Sequence, residues 1–206
     1  AGGWQGVCRF VDGWYRSVSL LGDPHRWLVT PMGCSVMLTR RPDVLKRAFS
    51  LVAAYLETAE QDTVINYMDY GFQLGRRFRA LKLWMVIKAF GSDGIATRIR
   101  HHCELATTFA GWITKEPNWE LSAPHPFSTV CFRHTPAGLD LAATNRHNAA
   151  ILDRVNSSGD IFISHTMLGP TDVWRGAIGN VRTERPQRTR AWRRRQAAAG
   201  WGRRAG

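Results

Sequence analysis

Long apolar runs are missing from this 206-residue chain, and with them the ~18 consecutive apolar residues that a membrane-spanning helix requires. The start of the chain also lacks the charged-then-apolar pattern of a secretory signal, so a cytoplasmic protein without membrane insertion is expected. Cysteine is sparse: Cys8, Cys34, Cys103 and Cys131 are widely separated and show none of the paired spacings of metal or redox sites, which reads as free, buried thiols. The seven histidines form no ligand constellation, and the adjacent His101 and His102 would point to different faces of a helix, so no metal is expected. Acidic residues are few as well, 16 against 28 basic ones, which leaves a net charge of +12.

What is present fits a globular protein. A content of 44% hydrophobic and 11% aromatic residues in this length can build one sizeable core or two small ones. Residues 15–21 and 34–39 read as short buried strands, the second following the turn signal Thr30-Pro31-Met32-Gly33. Pro42 to Phe49 has helical character, with proline in the first turn where its missing donor costs nothing. A helix is expected over Gly75 to Phe90, with Leu74, Leu81 and Met85 on an apolar face. Ser92 reads as the N-cap of a further helix whose Ile95, Ile99, Cys103, Ala106, Phe109 and Ile113 recur at spacings of three and four, a core stripe.

After Pro117 the pattern changes to short strands at Trp119 to Ala123, Thr129 to His134, Asp160 to Ser164 and Val173 to Ile178. A helix from Leu141 to Asn156, with Ala150, Ile151 and Val155 on one side, separates the second strand from the third. Helices with an antiparallel sheet in this order suggest a small α+β domain.

Three blocks carry a resemblance. The run Ser-Leu-Leu-Gly-Asp-Pro-His-Arg-Trp-Leu at 19–28, continued by Met32, Cys34, Met37 and Arg40, is the first. The second runs from Asn66-Tyr67-Met68-Asp69-Tyr70 through Leu74-Gly75-Arg76-Arg77-Phe78-Arg79-Ala80-Leu81-Lys82-Leu83-Trp84, and the third is Arg175-Gly176-Ala177-Ile178-Gly179-Asn180-Val181-Arg182-Thr183. In this order they resemble the pyridoxal phosphate-dependent amino acid decarboxylases, the group that includes the aromatic amino acid decarboxylases. The resemblance implies an α/β fold: the end of an aspartate aminotransferase-like large cofactor domain over residues 1–83, then a small α+β C-terminal domain over 84–183, with 184–206 as a basic tail. It also implies pyridoxal 5'-phosphate as cofactor, an amino acid substrate, aromatic by family weighting, and a homodimer with its active site between subunits.

One slot departs from the family. Arg26 stands where the family has the lysine whose amine forms the Schiff base with the cofactor. A guanidinium stays protonated and has no free amine to attack an aldehyde, although it can still donate to a phosphate or carboxylate. Covalent attachment is therefore not expected. Asp23 and His25 flank that slot, at positions that in the family lie near the cofactor phosphate. A carboxylate beside a phosphate would be repulsive, so Asp23 reads as orienting the backbone around Pro24, and His25 carries more weight as a phosphate contact. Tyr55, 29 residues after Arg26, falls in a segment resembling the family's mobile catalytic loop, where a tyrosine returns a proton to the substrate carbon and aldehyde-forming relatives carry phenylalanine. Without the resemblance it would read as a surface-loop aromatic. Arg76, Arg77 and Arg79 cannot all face one site and read as helix-surface or dimer-interface charges, and Asp69 and Tyr70 as a turn.

In the family the aspartate that pairs with the cofactor's pyridine nitrogen lies upstream of this chain's first residue, so a C-terminal portion or truncated relative is expected. From Arg182 to Gly206 there are nine arginines and one glutamate, which places eight of the twelve net positive charges in the tail. With Trp192 and Trp201 this tail could hold nucleic acid by phosphate contacts and stacking. A solvated terminus is the favoured reading, because no nucleic-acid fold motif accompanies it. Two functions stand side by side: part of a carboxy-lyase, inactive as this chain alone, or a non-catalytic dimerisation or binding module derived from one.

Overall fold

The computed structural model of the chain describes residues 12–50, 63–159, 162–180 and 183, without the side chain of Arg26. It divides into two compact units, 1–92 and 93–206.

In the first unit a 3-10 turn, Trp14–Arg16, leads into β1 (Ser19–Gly22), which pairs antiparallel with β2 (Val36–Thr39) in the register Leu20↔Leu38 and Gly22↔Val36. The one-turn helix α1 (Pro24–Trp27) lies between the two strands in sequence. The expected strand over 15–21 thus shrinks to its second half. Gly13 at φ 83° opens a turn, and the Ser17 amide closes it on the Trp14 carbonyl, which spends on the turn the backbone groups a longer strand would need. Helix α2 (Pro42–Phe49) begins with proline as its spacing predicts, and Arg41 grips Asp43 through two 3.1 Å hydrogen bonds. A 3-10 turn, Tyr67–Tyr70, follows. Among the described residues of this unit only Pro24, Thr30, Cys34 and Asp69 are buried, while Leu21, Met32, Phe72 and Phe78 are each at least 75% exposed.

The helix expected from Gly75 begins only at Arg79 and continues as α3 (Arg79–Lys115), broken at Gly91 by φ 65° and ψ 169°. Ser92 is therefore the residue just after a glycine break. Glycine takes the left-handed region that any side chain would resist, and this lets two helical stretches meet without a capping side chain. On the first stretch Leu81 and Met85 are exposed, as is Leu74 before it.

The second unit holds a well-formed core. Ala106, Phe109 and Ile113 are buried as the periodicity predicts, and His102, Leu105 and Ala110 widen the stripe, whereas Ile95, Ile99 and Cys103 are half-buried. His101 is exposed and His102 fully buried, on opposite sides of the helix. The strands β3 (Trp119–Leu121), β4 (Thr129–His134), β5 (Ser164–Leu168) and β6 (Thr171–Ala177) form an antiparallel sheet in the order β3-β4-β6-β5. The strand expected over 160–164 lies four residues further on, because β5 and β6 are joined by a tight turn through Gly169 at φ 59° that fixes their register, Leu168↔Thr171. Its first two residues lie outside the described ones.

Helix α4 (Leu141–Ser157) starts at an N-cap that spacing alone did not reveal: the Asp140 carboxylate accepts the Ala143 amide at 2.7 Å. Its buried face is Thr144, Asn148, Ile151, Leu152 and Val155; Ala150, expected on that side, is exposed. Phe132 and Trp174 meet edge to face at 5.6 Å between centroids, with Phe109 and Trp119 packed on them. Burying each of these rings contributes about 1.5–3 kcal/mol, plus about 0.5–1.5 kcal/mol for a favourable ring pair.

Of the cysteines, Cys34 is buried and Cys103 and Cys131 are half-buried, all as free thiols. Cys8 lies outside the described residues.

Candidate functional site

The segment from Asp23 to Ser35 connects β1 to β2 and carries the Arg26 slot. Its backbone is tightly curled. Pro24 fixes the first position of α1, and the Thr30 amide returns to donate to the Pro24 carbonyl at 3.2 Å. Between them Val29 takes φ 55°. For a β-branched residue this left-handed conformation costs about 1–3 kcal/mol and persists only where surrounding contacts hold it.

Those contacts come from the start of α3. Lys82 Nζ donates to the Met32 carbonyl at 2.6 Å, and Cys34 Sγ lies 3.8 Å from the Arg79 carbonyl. Gly33, at φ 80°, turns the chain between these two anchors. Arg79, read from sequence as a helix-surface or dimer-interface charge, thus serves through its backbone: its carbonyl and the Lys82 side chain pin the loop. Arg76 and Arg77 precede the helix.

Inside the curl, Ser35 Oγ donates to Asp23 Oδ1 at 3.1 Å, which fixes the carboxylate against the start of β2. His25 Nδ1 stands 3.8 Å from the same oxygen, beyond hydrogen-bond range, and its ring is about three-quarters buried. The Asp23 carboxylate thus bridges the start of α1 and the start of β2, with the His25 ring beside it. Thr30 Oγ1 is buried and has no hydrogen-bond partner among the described residues, a state that ordinarily costs about 1–3 kcal/mol. A histidine ring and a threonine hydroxyl on one short curl are both groups able to donate a hydrogen bond to an anion. The backbone at Arg26 lies within α1. Tyr55 lies outside the described residues.

Two further constellations were not visible in the sequence, both in the second unit. His134 Nδ1 and His147 Nε2 are 2.8 Å apart, and Asn148 beneath them accepts from the His134 amide at 2.9 Å and donates to its carbonyl at 2.7 Å. Burial, and then the charge of Arg154, hold His147 below the ordinary histidine range. His165 Nδ1 meets Asp172 Oδ1 at 2.9 Å across the β5–β6 pair. Asp69, read as a plain turn residue, is buried. Among the described residues no group of three or more His, Cys, Asp or Glu side chains is placed to hold a metal, and no helix is long and apolar enough to cross a membrane.

The family model described as the pyridoxal-dependent decarboxylase conserved domain matches residues 2–135. The chain belongs to this family. Among curated relatives it is 37% identical over 187 residues to phenylacetaldehyde synthase of Arabidopsis thaliana, covering 90% of this chain and 38% of the relative. It is 39% identical to tyrosine decarboxylase 2 of the same plant, covering 89% and 34%. Among solved structures, that of Oryza sativa TDC with PLP and tryptamine superposes with a TM-score of 0.88 at 28% identity, over 92% of this chain and 40% of that one. The Catharanthus roseus tryptophan decarboxylase in complex with L-tryptophan gives 0.82 at 30%, over 93% and 39%. The chain thus spans a little over a third of the length of these relatives. Its α/β fold, with strands and helices in the order described, is theirs, and pyridoxal phosphate is the family's cofactor.

Proposed function

We propose that this chain is the C-terminal part of a pyridoxal phosphate-dependent carboxy-lyase for an aromatic amino acid, and that on its own it neither attaches the cofactor covalently nor decarboxylates. The observation that carries the reading is Arg26, set in the curled loop at the family's lysine slot without a primary amine. The donor set of the loop fits the cofactor's phosphate and not its covalent attachment. His25, with Thr30 Oγ1, would hold the phosphate, and Asp23 would keep the loop curled through Ser35. When bound, the cofactor supplies the electron sink for cleavage of the bond to the carboxylate. Arg26 would contribute charge to a phosphate or carboxylate without bonding to the aldehyde.

Tyr55 is the residue we assign to returning the proton to the substrate α carbon. A tyrosine there supports simple decarboxylation over aldehyde formation, although a phenylacetaldehyde synthase is among the similar proteins. Aromatic substrate choice is supported by the names of the relatives, tyrosine and tryptophan decarboxylases among them. We assign 1–83 to the end of the large cofactor domain, 84–183 to the small domain and 184–206 to a basic tail, and infer a homodimer. The apolar exposure of the first unit supports further burial in an assembly.

The test is borohydride trapping. The chain is mixed with pyridoxal phosphate, reduced, and its mass determined beside that of Arg26→Lys. No added mass at position 26 is expected in the natural chain, and addition at the new lysine in the variant. Efficient trapping on the natural chain together with release of carbon dioxide from tyrosine or tryptophan would defeat the reading. Arg26 also supports a second reading, a non-catalytic dimerisation or binding module, which predicts no trapping in Arg26→Lys either.

A further inference from the structure

The cavity between α2 and the Tyr67–Tyr70 turn is separate from the Asp23–Ser35 loop and has a chemistry of its own. It holds about 290 Å³ and is walled by Phe49, Met68, Phe72 and Leu74. Among the described residues one charged group lines it, Asp69, of which only 4% of the surface is exposed. Among the described residues the carboxylate accepts one hydrogen bond, from Ser50 Oγ at 3.4 Å, and no cationic side chain is paired with it. A buried carboxylate is ordinarily matched by several donors or by a cation, since stripping its water is otherwise costly.

We propose that this cavity is a binding site for a primary ammonium carried on an aromatic body, with the ammonium on Asp69 and the ring among the apolar walls. The walls and the single carboxylate decide the class of cation. A hard metal ion would need several oxygen ligands, and among the described residues one carboxylate lines the cavity, in an apolar setting. An organic ammonium needs one charged partner and gains from the rest, by burial and by attraction to the Phe49 and Phe72 rings. The volume sits at the low end of ligand pockets, roughly 300–1,000 Å³, which suits one ring and a short chain.

The rival for Asp69 is Arg76. Its Nη2 lies 2.6 Å from where a Cβ on Gly71 would stand, so the guanidinium rests against a residue that lines the cavity. In this arrangement it is not paired with Asp69. A carboxylated ligand would reach for Arg76 as well, whereas a plain amine uses Asp69 alone. An aromatic amine is also what decarboxylation of an aromatic amino acid releases. That identification as product rests on the function proposed above; the affinity of the cavity for such an amine does not.

The experiment is calorimetric titration of the 206-residue chain with 2-phenylethylamine, with 2-phenylethanol as the uncharged isostere and L-phenylalanine as the carboxylated analogue. Binding of the amine is expected, weakened about tenfold or more in 2-phenylethanol and in Asp69→Asn. Ala48→Phe, which fills an exposed wall of the cavity from α2, should also weaken it, and Arg76→Ala should leave it unchanged or tighten it. Circular dichroism checks each variant for folding; if Asp69→Asn does not fold, Ala48→Phe and the alcohol carry the test. The proposal is overturned if the amine does not bind, if the alcohol or the folded Asp69→Asn chain binds equally well, or if L-phenylalanine binds the natural and the folded Asp69→Asn chains equally well. These outcomes are independent of borohydride trapping, so the two readings fail separately.

Discussion

Asn148 offers the sharpest test of how the second unit is held together. It is fully buried on α4, and its amide makes three hydrogen bonds: it accepts from the His134 amide and donates to the His134 and Thr144 carbonyls. His134 is the last residue of β4, so this one side chain finishes the strand and fastens the helix to it. In Asn148→Ala the Thr144 carbonyl keeps its helical partner, but the His134 amide and carbonyl each lose the buried bond that Asn148 supplied. At about 1–3 kcal/mol for each buried bond removed, and with partial relief by an entering water, the loss is about 3 kcal/mol. For a chain of this size that corresponds to a fall in Tm of about 6–12 °C. Asn148→Asp should be worse, since a carboxylate can accept from the amide but only repels the two carbonyls. Asn145→Ala, which loses bonds to Pro170 and Asp172 nearer the surface, should cost less. Urea unfolding followed by near-UV circular dichroism reads the ring cluster beside it. A loss below about 0.5 kcal/mol in Asn148→Ala, or an aspartate variant as stable as the natural chain, would refute the argument.

The pair of histidines adds a pH dependence. The folded state holds the His147 pKa below its ordinary value of 6.5, so the folded form binds fewer protons than the unfolded form in that window. Stability should be complete above about pH 6.5 and decline as the pH falls through the lower folded value, and His147→Gln should flatten that part of the profile in urea titrations. Phe132→Ala, which opens a hole at the centre of the ring cluster, should cost about 3–5 kcal/mol by the same measurement. Val29→Gly should relieve the left-handed strain at the cost of chain entropy, giving a stability change near zero where Val29→Pro would be disruptive. A large loss in Val29→Gly would mean that the valine side chain, and not its backbone, shapes the curl.

The elements that the sequence made legible are those whose signal is local. The Ala106, Phe109, Ile113 stripe, the Pro42 helix start and the β4 strand each declare themselves within a dozen residues. The likeness to the decarboxylases was legible for a different reason: its motif residues stand in order along the chain, and the matching family model covers 2–135. Features set by pairing between distant residues stayed hidden. His134 and His147 come from a strand and a helix, and Asp69 is enclosed by residues from α2 and from its own turn. Nothing in the identity of an aspartate at a turn says whether water reaches it. The break at Gly91 was legible too, because Gly91-Ser92-Asp93-Gly94 is itself a local signal that one helix ends at Phe90 and another starts after it.

The uneven burial of the two units has a consequence for the life of the polypeptide in a cell. The second unit gathers Phe109, Trp119, Phe132 and Trp174 into a buried core, with Phe162 and Met167 left outside it, whereas the first has few buried side chains among its described residues and shows Leu21, Met32, Phe72 and Phe78 to its surroundings. Surface of that kind is what chaperones hold and proteases find, because local opening there costs little. The portion bearing the Arg26 slot is thus the portion whose abundance depends on company. A companion polypeptide that covers those four side chains would set how long the chain survives, and the second unit would outlast it if none did.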